Sequence, residues 1–359
     1  MAESWGILVT GAGAPGIAGT AHALRANPAG CPVRLAGADV SPHAVGRHLL
    51  EGFGVLPFPE EPGYLDALVE LCEDENVKLV LPQTTREIAV LSRARSALEA
   101  RGITVIVADS AAIERANNKH VVMEAFGELS LPVAAHRLAK TADEVADAAR
   151  ELGYPDQPVV VKPPVSNGMR GFRVLTERSL TRDQFLNTKP EGVELPLDAL
   201  LAMDLGKEPW PELLVTEYLP GMEYSVDAFL GEAGGVAVPR RRDHIRSGIS
   251  FRTTVEARED LSEATLLAGR HLGLRFAFGF QFKLDAEGQP RVLECNPRVQ
   301  GTMVASALAG VNCIWLAVEE AMGQAPGVED LCAGKGEFHR YWGGVNEVGQ
   351  DIRDFNNAA

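Results

Sequence analysis

The sequence predicts an α/β protein, and two observations predict it. Up to about residue 110, short apolar runs of strand length alternate with amphipathic helical segments. That alternation implies right-handed crossovers and a parallel sheet covered on both faces. Beyond about residue 210, apolar runs follow one another with turn residues between them, which suits antiparallel pairing.

The elements follow in chain order. WGILVTG (5–11) is a buried-type strand, IAGTAHALRA (17–26) a helix and VRLAGADV (33–40) the next strand. YLDALVELCEDEN (64–76) is a helix, KLVLPQ (78–83) a strand, EIAVLSRARSALEARG (87–102) a helix and ITVIVAD (103–109) a strand, so a first domain ends near Ser110. AAIERANNKHVVMEAFGEL (111–129) reads as one helix leading to the strand LPVAAHRL (131–138). TADEVADAARELG (141–153) is a helix with Thr141 as N-cap and Gly153 past its end. PVVVKPPVSNGMRGFRVL (158–175) is a strand, a Gly-containing turn and a second strand. Residues 178–212 are polar and Pro-containing, a mobile surface insert with a helix at LPLDALLAMDL. ELLVTEYLPGMEYSVDAFLG (212–231) supplies further strands, and FAFGFQFKLDAEGQPRVLECN (276–296) a hairpin. From Ala325 on, periodicity is weak.

Composition narrows the function. The formal charge of −15 argues against nonspecific nucleic-acid binding and against an anionic membrane surface. The five cysteines form no CxxC pair, and their odd number suits reduced, mostly buried thiols. No segment approaches the roughly 18 apolar residues of a membrane span. The N-terminus lacks a basic region followed by an apolar run, so a cytoplasmic location is expected.

The stretch LECNPRVQG (293–301) spaces Glu294, Asn296 and Arg298 by two. If Asp285 lies opposite Pro290 across a four-residue loop, Gln281 falls opposite Glu294, on one face with Asn296. Such an oxygen-rich cluster suits Mg²⁺, which takes a carboxylate or two and draws its other ligands from nucleotide phosphates and water. Arg298 reaches the same phosphates, while Cys295 points to the core by alternation. Lys162 ends an apolar strand as a point charge for phosphate. After it, Ser166, Gly168 and Gly171 permit a loop whose N–H groups close over phosphates, assisted by Arg170. Glu217 and the backbone near Leu219 suit an adenine edge, and Glu223 suits ribose hydroxyls.

Two further motifs compete or add. GAGAPG (11–16) fits G-x-G-x-x-G between a strand and a helix, with Asp39 placed for a ribose contact, which is the dinucleotide fingerprint. The run VPRRRDHIRSGISFRT holds Arg240, Arg241, Arg242, Arg246 and Arg252 with His244. We read it as a loop kept tight by Gly248 and Ser250, with guanidinium forks for a carboxylate, an acceptor or an acyl phosphate. Arg86 and Glu87, after KLVLPQ, are candidates to face a cleft.

Together these pieces resemble the ATP-grasp superfamily over nearly the whole chain, nearest the carbamoyl phosphate synthetase large-subunit and amino-acid-ligase branch. The most specific element is E-x-N-P-R with a Gln on the preceding strand. The resemblance implies a Rossmann-like domain (1–112), linker helices and a central segment (113–156), a lid with the Gly-rich loop (157–220), a C-terminal lobe (221–325) and a tail (326–359). Its fold is thus a Rossmann-like N-terminal domain followed by a two-lobed ATP-grasp fold. It implies Gln281, Glu294 and Asn296 as Mg²⁺ ligands, with Mn²⁺ as a substitute ion, and Arg298 as a transition-state phosphate contact. It implies phosphate contacts from Lys119 and Lys162, and a hinge of Glu217, Leu219 and Glu223 for adenine and ribose. In such proteins the glycine-rich turn, here with Gly13, helps line the substrate cleft without NAD. Gln281 departs from the acidic residue common at its position, although Gln occurs in the carbamoyl phosphate synthetase branch.

The implied reaction is ATP-dependent ligation of a small carboxylate to an amine through an acyl phosphate, with ADP released. Catalytic roles fall to Lys162, Arg298 and Arg246, and substrate roles to Arg242, Gly248 and Ser250. The nucleophile stays open among an amine, an amino acid, ammonia and bicarbonate, and a homodimer is among the open assembly states. The alternatives are an NAD(P)-dependent oxidoreductase using GAGAPG and a non-catalytic nucleotide-binding protein on the same scaffold.

Overall fold

The structure, a computed structural model, describes residues 4–166, 168–178, 181–187, 192–203, 205, 210–348 and 351–354. Parts of the expected insert (179–180, 188–191, 204 and 206–209) and of the tail (349–350, 355–359) lie outside the described residues. The chain forms two compact units. The first comprises residues 1–116, 222–281 and 295–359, and the second residues 117–221 and 282–294.

The first unit opens with a five-stranded sheet in the order β3-β2-β1-β4-β5. Its strands are β1 (Trp5–Thr10), β2 (Val33–Asp39), β3 (Gly52–Val55), β4 (Leu79–Leu81) and β5 (Thr104–Val105), and all pairs are parallel. Ile7, Leu8 and Val9 are fully buried, as expected of a central parallel strand covered on both faces. β3 and the short helix Gly46–Leu49 occupy a stretch where no element was expected, because GFGV carries two glycines and no alternation. β5 is much shorter than the apolar run ITVIVAD suggested.

In the second unit the strands are β6 (His136–Ala139), β7 (Val159–Lys162), β8 (Arg173–Leu175), β9 (Glu194–Leu195) and β10 (Leu213–Glu217), ordered β6-β10-β7-β8-β9. β10 runs antiparallel to both β6 and β7. The helix Ala142–Glu151 packs Val145 and Ala149 against Val159, Val161 and Val215, and Thr141 Oγ1 caps it by accepting from the Glu144 N–H at 3.1 Å. The single helix expected over 111–129 is instead two, Ser110–Asn117 and Lys119–Glu128. Asn118 leaves helical geometry (φ −96°, ψ 109°), and its Oδ1 accepts from the N–H groups of His120 and Val121. An asparagine that caps competes with continuing the helix, and here the cap prevails.

The third sheet is six-stranded, ordered β15-β14-β11-β12-β13-β16. Its strands are β11 (Glu223–Leu230), β12 (Gly235–Arg246), β13 (Ile249–Val255), β14 (Phe276–Leu284), β15 (Pro290–Asn296) and β16 (Gly336–His339). The basic run expected to be a loop is a hairpin: β12 and β13 pair antiparallel, with Arg246 opposite Ile249. The turn between them is Ser247-Gly248, both at positive φ (48° and 76°), the conformation of a two-residue type I′ turn. The strand state is possible because carboxylates on neighbouring strands neutralise the inward arginines, a long-range fact invisible in local composition.

The β14–β15 turn also differs from expectation. The Asp285 N–H donates to the Gln289 carbonyl at 2.9 Å around Ala286, Glu287 and Gly288, the last at φ 81°. Asp285 therefore lies opposite Gln289 rather than Pro290. The weakly periodic tail holds β16, antiparallel to β13, and a small hairpin of β17 (Val345–Val348) and β18 (Asp351–Asp354). No helix among the described residues is long and apolar enough to cross a membrane.

Candidate active site

In the second unit, two buried lysines approach one stretch of backbone. Lys162 ends β7 and places Nζ 3.3 Å from the Leu293 carbonyl. Lys119 opens the helix after the Asn118 cap and places Nζ 3.5 Å from Glu294 Oε2. Each lysine is 6% exposed. Burying an ammonium is costly unless negative charge or dipoles face it. The carbonyl and hydroxyl of Ser166 also accept from Lys119 Nζ, at 2.7 and 3.2 Å. Ser166 opens the Gly-rich loop, in which Gly168, Met169 and Gly171 adopt φ of 60°, 61° and 75°. A Cβ at Gly171 would stand 2.6 Å from Pro163 Cδ, so glycine is required there on both counts.

The hinge residues are held in place by protein partners. The Glu217 carboxylate accepts from the Ala135 N–H at 2.8 Å, and the Glu217 N–H donates to the Ala135 carbonyl at 2.9 Å. Leu219 is buried. In the first unit, Glu223 pairs with Arg242, whose other N–H groups donate to Ser250 Oγ (3.0 Å) and to the Gly248 carbonyl (2.6 Å). The structure thus joins Glu223, Arg242, Gly248 and Ser250 in one cluster across β11, β12 and β13.

Arg298 is anchored within the first unit. It donates to Asn296 Oδ1 (3.2 Å), to the Val299 carbonyl (2.9 Å) and to Thr85 Oγ1 (3.2 Å). Glu294 and Asn296 are alternate residues of β15, so they share a face of that strand. Gln281 lies on β14. Among the described residues no group of three or more His, Cys, Asp or Glu could hold a metal ion. One carboxylate and two amides suit a hard cation that brings phosphate and water ligands with it, as Mg²⁺ does, and suit a thiolate- or imidazole-bound metal poorly. The donor set therefore fits nucleotide-borne Mg²⁺.

Packing accounts for the glycine-rich turn. Gly11 has φ 62°, and a Cβ at Gly16 would lie 2.8 Å from Gly301 Cα. The Gly13 N–H donates to Asp39 Oδ2 at 2.7 Å, and the Ser41 N–H donates to Asp39 Oδ1 at 2.9 Å. The carboxylate that a ribose contact would require is closed on its own turn. Arg86 is exposed on Glu60 and the Phe58 ring. Glu87 is buried, with Oε1 accepting from the Thr84 and Gln83 N–H groups as the third residue of a capping box. Burial pushes its carboxyl pKa up, against those hydrogen bonds.

Within the basic hairpin, alternation separates the arginines. Arg240 is buried in a bidentate pair with Asp227, which also accepts from Ser306 Oγ. Arg241 bridges Asp243 and Glu256. Arg246 is exposed, its guanidinium 5.1 Å from the Phe251 ring centre. Arg340, beyond β16, belongs to none of the sequence motifs. It donates to the carbonyls of Pro15 (2.9 Å) and Gly301 (2.7 Å), tying the glycine-rich turn to the segment after Arg298. No local pattern around it announces that role.

Comparisons with known proteins identify the domains. Residues 209–338 match the family model described as an ATP-grasp in the biosynthetic pathway with Ter operon, and residues 7–106 match the PylC-like N-terminal domain. The chain is 27% identical over 269 residues to the carbamoyl phosphate synthase arginine-specific large chain of Bacillus subtilis, covering 72% of this chain and 24% of that one. It thus spans about a quarter of the length of the curated relatives it matches. Among solved structures, a Campylobacter jejuni biotin carboxylase in complex with a β-γ-ATP ligand superposes with a TM-score of 0.69 at 17% identity, over 93% of this chain and 74% of that one. A Hydrogenobacter thermophilus 2-oxoglutarate carboxylase domain, with MgADP, ADP and bicarbonate, gives 0.65 at 16% identity, over 89% and 70%. The chain carries an ATP-grasp domain, and a PylC-like N-terminal domain precedes it.

Proposed function

We propose that the protein is an ATP- and Mg²⁺-dependent carboxylate–amine ligase. The observation that carries this reading is the pair of buried ammonium groups, Lys119 and Lys162, set at Leu293 and Glu294 beside a glycine loop. Cations held out of water in this way suit phosphate oxygens.

On this reading Lys119 and Lys162 hold the nucleotide phosphates. Glu294, Asn296 and Gln281 would hold Mg²⁺, which would supply charge neutralisation when bound. A substrate carboxylate oxygen attacks the γ-phosphorus as the bond to the ADP oxygen breaks. Lys162 and Arg298 offset the charge that develops. The amine nitrogen then attacks the carbonyl carbon, phosphate leaves and the nitrogen loses a proton, giving an amide. The loop around Gly168 closes over the phosphates and keeps water from the acyl phosphate. Glu217, Leu219 and Glu223 hold adenine and ribose, with Glu217 and Glu223 fixed by Ala135 and Arg242.

The test is ADP release from Mg-ATP across paired small carboxylates and amines, with mass analysis of the product. Lys162→Ala should lower the rate by about 10²–10³ while leaving the melting temperature near wild type. An unchanged rate in that variant would sink the assignment.

A further inference from the structure

A cleft of about 550 Å³ opens in the first unit, lined among others by His244, Arg246, Phe251, Arg340, Tyr341 and Trp342. We propose that this cleft binds the carboxylate substrate as an aromatic monocarboxylate, with its ring against Phe251 and Trp342 and its carboxylate on Arg246. The proposal rests on the ligase reading for the fate of that carboxylate, and on the cleft alone for its chemistry.

Size comes first. The volume lies in the range of about 300–1,000 Å³ that small ligands occupy. The walls specify a flat, apolar body. Phe251 and Trp342 have ring centres 5.1 Å apart at 58°, and since Phe251 is only 9% exposed beneath the Arg246 guanidinium, a ligand ring would stack on Trp342 with Phe251 backing the wall. Tyr341 and Trp342 are 72% and 73% exposed, a large aromatic area left in water beside the cleft. A ligand ring would cover it.

Charge then selects the anion. Arg252 faces Glu337 at 3.5 Å, and His339 faces the same carboxylate at 3.4 Å. Asp243, also in the lining, is committed to Arg241 and Thr254. Arg340 spends its N–H groups on Pro15, Gly301, Thr302 and Ser250. Arg246 differs: among the described residues it has no carboxylate partner, and its guanidinium lies over Phe251, near His244 Nε2 at 3.4 Å. A guanidinium stacked on a ring is already oriented, so little freedom is lost when a carboxylate docks on its fork. One such fork matches one carboxylate rather than a dianion.

The experiment is isothermal titration of the whole chain with phenylacetate and indole-3-acetate. Cyclohexaneacetate lacks the aromatic ring, and 2-phenylethanol lacks the charge. Both ring acids should bind, and each control should bind more weakly by about threefold or more. Arg246→Gln should weaken the ring acids about tenfold or more, and Trp342→Ala about threefold to tenfold. Absence of saturable binding to wild type, equal binding of the controls, or unchanged binding in both folded variants would overturn the proposal. The four-ligand comparison on wild type does not depend on either variant folding. A thermal shift with Mg-ATP on the same sample separates the two readings. Ring acids that bind without an ATP response leave the cleft standing and remove the ligase. An ATP response without ring-acid binding does the reverse.

Discussion

Arg240 and Asp227 lie opposite the usual rule for charges in cores: both are buried, with side-chain exposures of 1% and 0%. Desolvating two ions costs several kcal/mol, which their mutual attraction recovers only when geometry is good and remaining valences are met. Here the contact is bidentate and Ser306 adds a donor, although Arg240 Nη1 has no hydrogen-bond partner among the described residues. Arg240→Met should therefore cost about 3–5 kcal/mol, because Asp227 is left buried and unpaired. The double variant Arg240→Met with Asp227→Leu should recover most of that loss in urea unfolding. Thiols offer a second check at this scale. Burial pushes Cys72 up to about 12, and burial, with the Asp227 charge, raises Cys313 further. Since the thiolate is the reactive form, Cys332, which is exposed, should react promptly with a disulfide reagent at pH 8. Cys72, Cys295 and Cys313 should react only on unfolding. Lys162 and Glu294 stand out as candidates in the sequence because each interrupts an apolar strand near its end. Arg340 does not, because its partners lie up to 325 residues away.

At the level of elements, the helix Glu259–Leu272 shows how charge secures a helix start. Arg258 holds Asp260 with bonds of 2.9 and 2.6 Å, and that hydrogen-bonded pairing lowers the Asp260 pKa. A depressed folded-state pKa contributes stability that is complete at neutral pH. It fades as pH falls below the ordinary aspartate value of about 3.9 and through the folded-state pKa. Asp260→Asn should thus lower the melting temperature at pH 7, and the difference should close on acidification. A gap that persists unchanged at pH 2 would mean that the pair's charge is irrelevant. Five arginines in one stretch read as a solvated loop, yet they lie in the β12–β13 hairpin. What admits them to a sheet is Asp227, Glu223, Asp243 and Glu256, two of them on another strand. The split at Asn118 had a visible signal, an asparagine before a lysine within the helical pattern, but apolar periodicity outweighed it.

For the whole molecule, ligand linkage is the decisive measurement. A ligand that binds only the folded state stabilises it by about 2.7 kcal/mol at a hundred times its dissociation constant. Mg-ATP should raise the melting temperature by several degrees, and NADH should not. A shift with NADH alone would reverse the choice between the two nucleotide readings, against the closure of Asp39 on Gly13 and Ser41. Arg340→Ala should lower the melting temperature of the first unit, since it removes donors to Pro15 and Gly301 together. The sequence by itself determined the parallel first sheet and the existence of the β14–β15 hairpin. Strand period, turn residues and apolar runs act over a few residues and are written locally. Only the tertiary structure decided the strand state of the basic run and the capture of the tail as β16. Each depends on partners distant in the chain, whose charge and backbone valences no local pattern can supply.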